Sequence, residues 1–284
     1  MPWYKQYLSI YNRPFDEVPD SVIEETRREL AARQSDSPIA TIAVIAYNEE
    51  TRLQACLWAL SHIECKVPIE IIGIDNDSTD RTREIFQLSG IPFYVEHQHS
   101  CGYARRCGLE HARGKYYFDA DADTLYPPLY HITLIRKLQQ PNVAGVSATW
   151  GYIPDEQHSR FALWCYETIR NLFLRIQAIQ RPELSVRGLV FAYNRTFIRP
   201  SDYRVDIVRG EDGSMALTLK QFGRICFIYS RKARAITGYG TIGNQSVWQS
   251  LKRSISIQWR GIIRIFYPTE HYNDSPDNLV KHDE

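Results

Sequence analysis

The sequence predicts an α/β protein with a mostly parallel central sheet flanked by helices and a mixed region abutting it. Three observations carry this expectation. Apolar, β-branched runs such as Ile39–Ala46 (IATIAVIA) and Pro68–Ile74 (PIEIIGI) lack polar alternation, as strands buried on both faces require. Stretches with helical periodicity separate these runs. Polar residues gather where each run ends rather than along it.

In chain order, residues 1–38 read as an N-terminal extension containing a charged helical run, Glu24–Arg33, with Asp20 or Ser21 as its cap. Ile39–Ala46 is the first strand, Glu49–Leu60 a helix and Pro68–Ile74 the second strand. Thr79–Leu88 is a helix capped near Ser78 or Thr79. Ile91–Glu96, Tyr103–Ala112 and Lys115–Ala120 continue as strand, helix and strand, an alternation that implies right-handed crossovers. The second half mixes helices Pro127–Leu138, Arg160–Ile179 and Glu211–Gln221 with strands Ala144–Thr149, Val186–Tyr193 and Ile225–Tyr229. A final helix, Val247–Ile265, carries basic residues among apolar ones. The expected boundaries are 1–38, a main domain at 39–240 divided after 125, and a helical segment at 241–284.

Composition narrows the function. The 284 residues suffice for one large domain or two small ones. Lys plus Arg is 34 and Asp plus Glu is 33, a balance that does not suit a nucleic-acid coat. Low net charge and 44% apolar residues exclude intrinsic disorder. None of the six cysteines forms a C-x-x-C pair, so they read as reduced thiols. His97, His99, Cys101, Cys107 and His111 cluster in sequence but match no standard zinc spacing. No apolar run reaches the length of about 18 residues that spans a bilayer, and the start lacks a signal-peptide pattern. The expectation is a cytoplasmic protein. Ile255–Tyr267, interrupted by Arg260 and Arg264, is the segment suited to peripheral contact at the inner face of a membrane.

Open parallel sheets bind ligands beyond the carboxyl ends of their strands. Three such ends are polar here: Ala46-Tyr47-Asn48-Glu49-Glu50, Asp75-Asn76-Asp77-Ser78-Thr79-Asp80 and Asp121-Ala122-Asp123-Thr124. In extended backbone Asp121 and Asp123 point to one side. There they suit a hard divalent cation that also takes diphosphate oxygens and water, although Asp is equally common in turns. Asp119 lies deeper in the same alternation. Tyr47 suits stacking on a base, with Asn48 and Glu49 toward base or ribose; the same residues suit a helix start. Asp75 and Asn76 fit either a pyrimidine edge or a cap. In Gly102–Gly108 (GYARRCG) an arginine can reach a diphosphate, or simply decorate a helix surface. Glu211 and Asp212 favour a helix start, and a carboxylate there can serve as general base.

Taken in order, AVIAYNEE (43–50), IDNDSTDRT (74–82), GYARRCG (102–108), GKYYFDADADTLYPP (114–128) and RGEDGSMAL (209–217) resemble the family 2 glycosyltransferases of GT-A-type, Rossmann-like fold. The resemblance spans residues 39 to about 230. It implies inverting, non-processive transfer from a nucleoside-diphosphate sugar, UDP favoured, to a carbohydrate or lipid-linked carbohydrate, as in cell-surface polysaccharide synthesis. It implies Mg²⁺ or Mn²⁺ on Asp123 and Asp121, with Asp121 also facing the donor. It places Ala46, Tyr47, Glu49, Asp75 and Asn76 around the nucleotide and Arg105 at the diphosphate. Gly188 falls in the donor-sugar and acceptor region, and Asp212 matches the catalytic base with Glu211 beside it. Asn76 replaces the family's usual second acid, Asp77 stands where glycine is frequent, and Arg106 replaces an Asn. The Q-x-x-R-W of processive synthases is reduced to Gln258-Trp259-Arg260.

Two other functions compete with this one. A sugar-nucleotide nucleotidyltransferase would carry a glycine-rich loop where Tyr47-Asn48-Glu49-Glu50 stands. A non-catalytic sugar-nucleotide-binding protein would have no need of both acid pairs.

Overall fold

The computed structural model describes residues 2–64, 66–154, 159–238 and Asn278. The expected α/β fold is present. A seven-stranded sheet runs in the order β3-β2-β1-β4-β8-β6-β9, from Phe93–Val95 (β3), Ile69–Asp75 (β2), Ala40–Ala46 (β1), Tyr116–Asp121 (β4), Phe191–Asn194 (β8), Val143–Ala148 (β6) and Arg224–Ile228 (β9). The first four are parallel, with Ala46 level with Asp75 and Ile45 level with Asp121. That register brings three polar strand ends to one edge. β8 is antiparallel to both neighbours, and β9 is parallel to β6.

Helices α2 (Leu53–Ser61), α3 (Thr82–Ser89), α4 (Cys101–His111), α5 (Tyr130–Leu138), α6 (Arg160–Gln180) and α7 (Glu211–Leu219) connect or flank the strands. The sheet's core residues are fully apolar where the sequence runs are unbroken: Ile42, Val44, Ile71 and Phe118 are each 0% exposed. A second sheet, β5-β10-β7 (Thr124–Leu125, Ala235–Thr237, Trp150–Tyr152), lies just past the end of β4.

Several elements differ from expectation. The helix expected from Glu49 starts at Leu53, because Asn48 takes a φ of 52° and its side chain accepts the Thr79 N–H at 2.8 Å. The N–H groups of Glu49 and Glu50 donate to Thr82 and Asp80, so this loop is stitched to the β2–α3 loop instead of being wound into helix. Asn48 therefore ties two loops and does not cap α2. The N-cap position of α3 is Arg81, not Ser78 or Thr79, and Arg81 makes no side-chain cap bond; the Thr82 N–H donates to Asp80 instead. The strand expected at Val186–Tyr193 begins, after the 3₁₀ turn Pro182–Ser185, with a second one at Gly188–Val190, and only Phe191–Asn194 joins the sheet. α1 (Asp20–Ala31) has Pro19 at its cap position, leaving Asp20 in the first turn.

The N-terminal extension packs against the main sheet's core. Tyr7, Ile10, Tyr11, Phe15 and Val18 are buried in the same cluster as Ile42 and Leu57. The expected helix Val247–Ile265, and with it Gln258-Trp259-Arg260 and the Ile255–Tyr267 segment, lies outside the described residues. Among the described residues no helix is long and apolar enough to cross a membrane.

Candidate active site

The carboxylate pair sits where β4 gives way to the turn before β5. Asp121 ends the strand, and its N–H donates to the Tyr126 hydroxyl at 2.9 Å. Tyr126 in turn donates to the Leu189 carbonyl at 3.0 Å, fixing this edge to the turn that holds Gly188. Asp123 is oriented by two hydroxyls, Thr124 at 2.9 Å and Thr237 of β10 at 3.2 Å. Its own carbonyl accepts the Tyr11 hydroxyl at 2.7 Å.

Arg105 organises the other side. It lies on α4, only 3% exposed, where its backbone position comes from Ser100 capping the helix. Its guanidinium approaches four carboxylates: Asp121 at 2.9 Å, Asp212 at 3.0 Å, Asp119 at 3.3 Å and Glu211 at 3.8 Å. Two acid pairs far apart in sequence therefore converge on one buried cation. The resemblance gives Arg105 to the diphosphate; the structure places it among these carboxylates.

Gly188 makes this convergence possible. Its N–H donates to Asp212 at 2.6 Å. A β-carbon there would lie 1.9 Å from Arg105 Nη2 and 2.6 Å from Asp212 Oδ1. Only glycine leaves the guanidinium its place. Asp212 and Glu211 open α7 behind Gly210, whose φ is 102°.

Crowding of acids shows in their protonation. Burial pushes Asp119 up to about 8 against the pull of Arg105, and Tyr203 donates to its carboxylate at 2.9 Å. Burial, then the charge of Asp212, raises Glu211 to about 7. Burial raises Asp121 to about 6, Arg105 opposing and Asp123 adding to the rise. Glu49 is raised to about 7 by burial, opposed by Arg52 and reinforced by Asp123. Arg52 pairs with Glu49 at 2.6 Å and lies 4.0 Å from Asp123.

This donor set fits a hard divalent cation. The charges of Asp123 and Asp121 add to the rise at Glu49, and that of Asp123 adds to the rise at Asp121, with Arg52 and Arg105 opposing, so added positive charge at this edge relieves repulsion. Among the described residues no three such side chains are drawn close enough to enclose an ion alone. A cation of the Mg²⁺ type takes one or two carboxylates and completes its shell with phosphate oxygens and water.

The nucleoside candidates divide into two groups. Tyr47 is 51% exposed and meets His99 edge-on at 5.0 Å, so its ring is open to a partner. Asp75 is fully buried, accepting the Ser78 N–H at 3.0 Å and pairing with Arg83 at 2.7 Å. Asn76 is 6% exposed, and its amide donates to the Glu96 and Gln98 carbonyls at 2.9 and 2.8 Å. Both therefore shape the loop from within. Ala46 is buried, and its carbonyl accepts the Asn76 N–H at 2.8 Å.

Sequence reasoning passes over Tyr11, Arg52, Tyr126, Tyr203 and Thr237. Arg52 carries a signal, being one helical turn from Glu49. Tyr11, Tyr203 and Thr237 touch the site from 84 or more residues away, and Tyr126 looks like an ordinary core aromatic.

By fold and by its paired acids at the strand ends, the protein is of the GT-A glycosyltransferase class. The family described as "Glycosyl transferase family 2" matches residues 41–201, more than half of the chain. The chain belongs to glycosyl transferase family 2. It is similar to the SPbeta prophage-derived glycosyltransferase SunS of Bacillus subtilis (strain 168), 31% identical over 96 residues. That stretch is 33% of this chain and 22% of SunS, so the match spans about a fifth of that relative's length. In structure it is similar to the mannosyltransferase PcManGT of Pyrobaculum calidifontis, solved with GDP-Man and Mn²⁺ (TM-score 0.57, 16% identity, 85% of this chain and 70% of the other). It is also similar to residues 1–349 of S. aureus TarS with UDP-GlcNAc (TM-score 0.51, 16% identity, 77% and 66%). At these identities the structural matches speak to the fold.

Proposed function

We propose that this protein transfers a sugar from a nucleoside-diphosphate sugar, UDP favoured, to an acceptor hydroxyl in a single inverting, non-processive displacement. The observation that carries the proposal is the meeting of Asp119 and Asp121 with Glu211 and Asp212 around Arg105, with Asp123 two residues beyond Asp121. One acid pair sits where a diphosphate would lie, and the other where an attacking hydroxyl must lose its proton.

Asp212 is the proposed base. The Gly188 N–H donates to its carboxylate at 2.6 Å and the Arg105 guanidinium lies 3.0 Å from it, contacts that hold it in one orientation. Glu211, raised to about 7 by burial and then by the charge of Asp212, is the second carboxylate beside it. Asp121 and Asp123 would hold Mg²⁺ or Mn²⁺, which when bound supplies positive charge against the leaving diphosphate. Tyr47 offers an exposed face to the base, and Glu49, Ala46, Asp75 and Asn76 shape the loops beneath it. Arg105 keeps Asp121, Glu211 and Asp212 in place, and in this proposal its contribution to the diphosphate is electrostatic. The acceptor is a carbohydrate or lipid-linked carbohydrate.

A donor screen tests the proposal. Thermal stabilisation by UDP, GDP, CMP and dTDP sugars is measured with and without Mn²⁺ or Mg²⁺, followed by release of nucleotide with candidate acceptors. Metal-dependent stabilisation by one nucleotide class supports it. Indifference to every sugar nucleotide would overturn it.

A further inference from the structure

An open cavity of about 420 Å³ lies outside the carboxylate site, between the N-terminal segment, the start of α6 and the small sheet. Trp3, Tyr4, Tyr152 and Trp164 line it with aromatic surface. Arg160, Arg231 and Arg234 also line it, and among the described residues the one acid in its wall is Glu167. Glu167 is already committed: it pairs with Arg234 and accepts the Tyr152 N–H at 2.7 Å. Arg160 and Arg231 are exposed and have no carboxylate partner among the described residues.

A fourth guanidinium adds to the excess. Arg170, further along α6, is only 6% exposed and stacks over the Trp150 ring at 4.1 Å and the Tyr152 ring at 5.4 Å. Its Nε and Nη1 are buried without a hydrogen-bond partner, and among the described residues no carboxylate pairs with it. Its Nη2 donates to the Trp150 carbonyl and to Asn171, yet among the described residues this corner holds four arginines against one acid, a balance that favours an anion from outside. The chain as a whole carries a formal charge of only +1, which makes the local excess a property of this corner. The N-terminus of α6, opening at Arg160, adds partial positive charge at the same rim.

We propose that this cavity binds a phosphorylated saccharide, its phosphate on Arg160 and Arg231 and its ring against Tyr152 and Trp164. Paired guanidiniums match a phosphate dianion, and aromatic faces suit a sugar ring. The phosphate assignment stands on the charges alone; the saccharide assignment rests on the glycosyltransferase proposal. Ile236 of β10 lines the cavity, and its neighbour Thr237 holds Asp123, so occupancy and the carboxylate edge share one strand.

The test uses the full-length protein without divalent metal or sugar nucleotide. Glucose 6-phosphate, inorganic phosphate and glucose are titrated separately by calorimetry, with tryptophan fluorescence reporting on Trp3 and Trp164. Glucose 6-phosphate should bind more tightly than phosphate, and glucose least. Arg231→Gln, an exposed change that leaves the core alone, should weaken glucose 6-phosphate about ten- to hundredfold. Trp164→Ala should weaken it while leaving inorganic phosphate nearly unchanged. No saturable binding to about 10 mM, or equal binding by Arg231→Gln, would overturn the proposal. Because no sugar nucleotide is present, failure here is distinct from failure of the donor screen, and each can occur without the other.

Discussion

Replacing Gly188 by alanine probes the centre of the site with one methyl group. The added carbon would sit 1.9 Å from Arg105 Nη2, 2.4 Å from its Cζ and 2.6 Å from Asp212 Oδ1. A solvent-exposed arginine would swing away at little cost. This one is 3% exposed and engaged with four carboxylates, so it has no empty space to enter. Overpacking a core typically costs about 1–3 kcal/mol, and disrupting a buried ion pair about 3–5 kcal/mol. Partial relaxation puts the expected loss at about 2–4 kcal/mol, or roughly 5–15 °C in melting temperature for a chain of this size. Turnover should fall by about 10²-fold, since Asp212 loses the backbone contact that orients it. Gly210→Ala is the control: nothing lies within 4 Å of its β-carbon, so it isolates the backbone cost of a φ of 102°, roughly 1 kcal/mol. Thermal unfolding and transfer assays on both variants decide the matter. A Gly188→Ala protein that melts and turns over like wild type would refute the locked guanidinium.

Three further outcomes are expected. Asp123→Ala should keep the fold, its side chain being 21% exposed, and weaken Mn²⁺-dependent nucleotide binding at least tenfold by roughly one lost charged contact; unchanged affinity would remove Asp123 from the metal site. Burial raises Asp119 to about 8, above its unfolded value, so the folded state binds the extra proton and stability falls as pH rises from about 4 to 8. Asp119→Asn should flatten that fall in pH-dependent denaturation, and an unaltered slope would show that Asp119 is ionised throughout. Tyr47→Ala should change stability by no more than about 0.5 kcal/mol, because the ring is half exposed, yet weaken nucleotide binding by about 1–3 kcal/mol; equal binding would place the base elsewhere.

The parts of the fold visible in the sequence are those governed by local pattern. β1, β2 and β4 are buried on both faces and read as unbroken apolar runs, so their positions and their polar ends follow directly. The acid pairs are visible for the same reason, each standing at an element boundary. What stays hidden depends on contacts distant in sequence. A basic residue on α4 looks the same whether it faces water or, as Arg105 does, four carboxylates. The turns around Gly188 follow from a hydrogen bond to Asp212, 24 residues on, and no periodicity announces it. β5, β7 and β10 have only two or three residues each, too short for an alternation to register. The N-terminal extension reaches Asp123 through Tyr11 without any regular element at that point. Asp75 and Asn76 are legible as polar residues at a strand end, but whether they face a ligand or their own loop depends on where Arg83 and the Gln98 carbonyl come to rest.

The central claim is that Asp212 removes the acceptor's proton, and Asp212→Asn with a true acceptor tests it most directly. The amide keeps the shape and can still accept the Gly188 N–H, so the fold and donor binding should be nearly unchanged. Transfer should fall by roughly 10²-fold or more, because the proton acceptor is gone. Donor affinity measured on the same sample separates lost chemistry from lost binding. Near-wild-type transfer by a well-folded Asp212→Asn enzyme would contradict the mechanism and turn attention to Glu211.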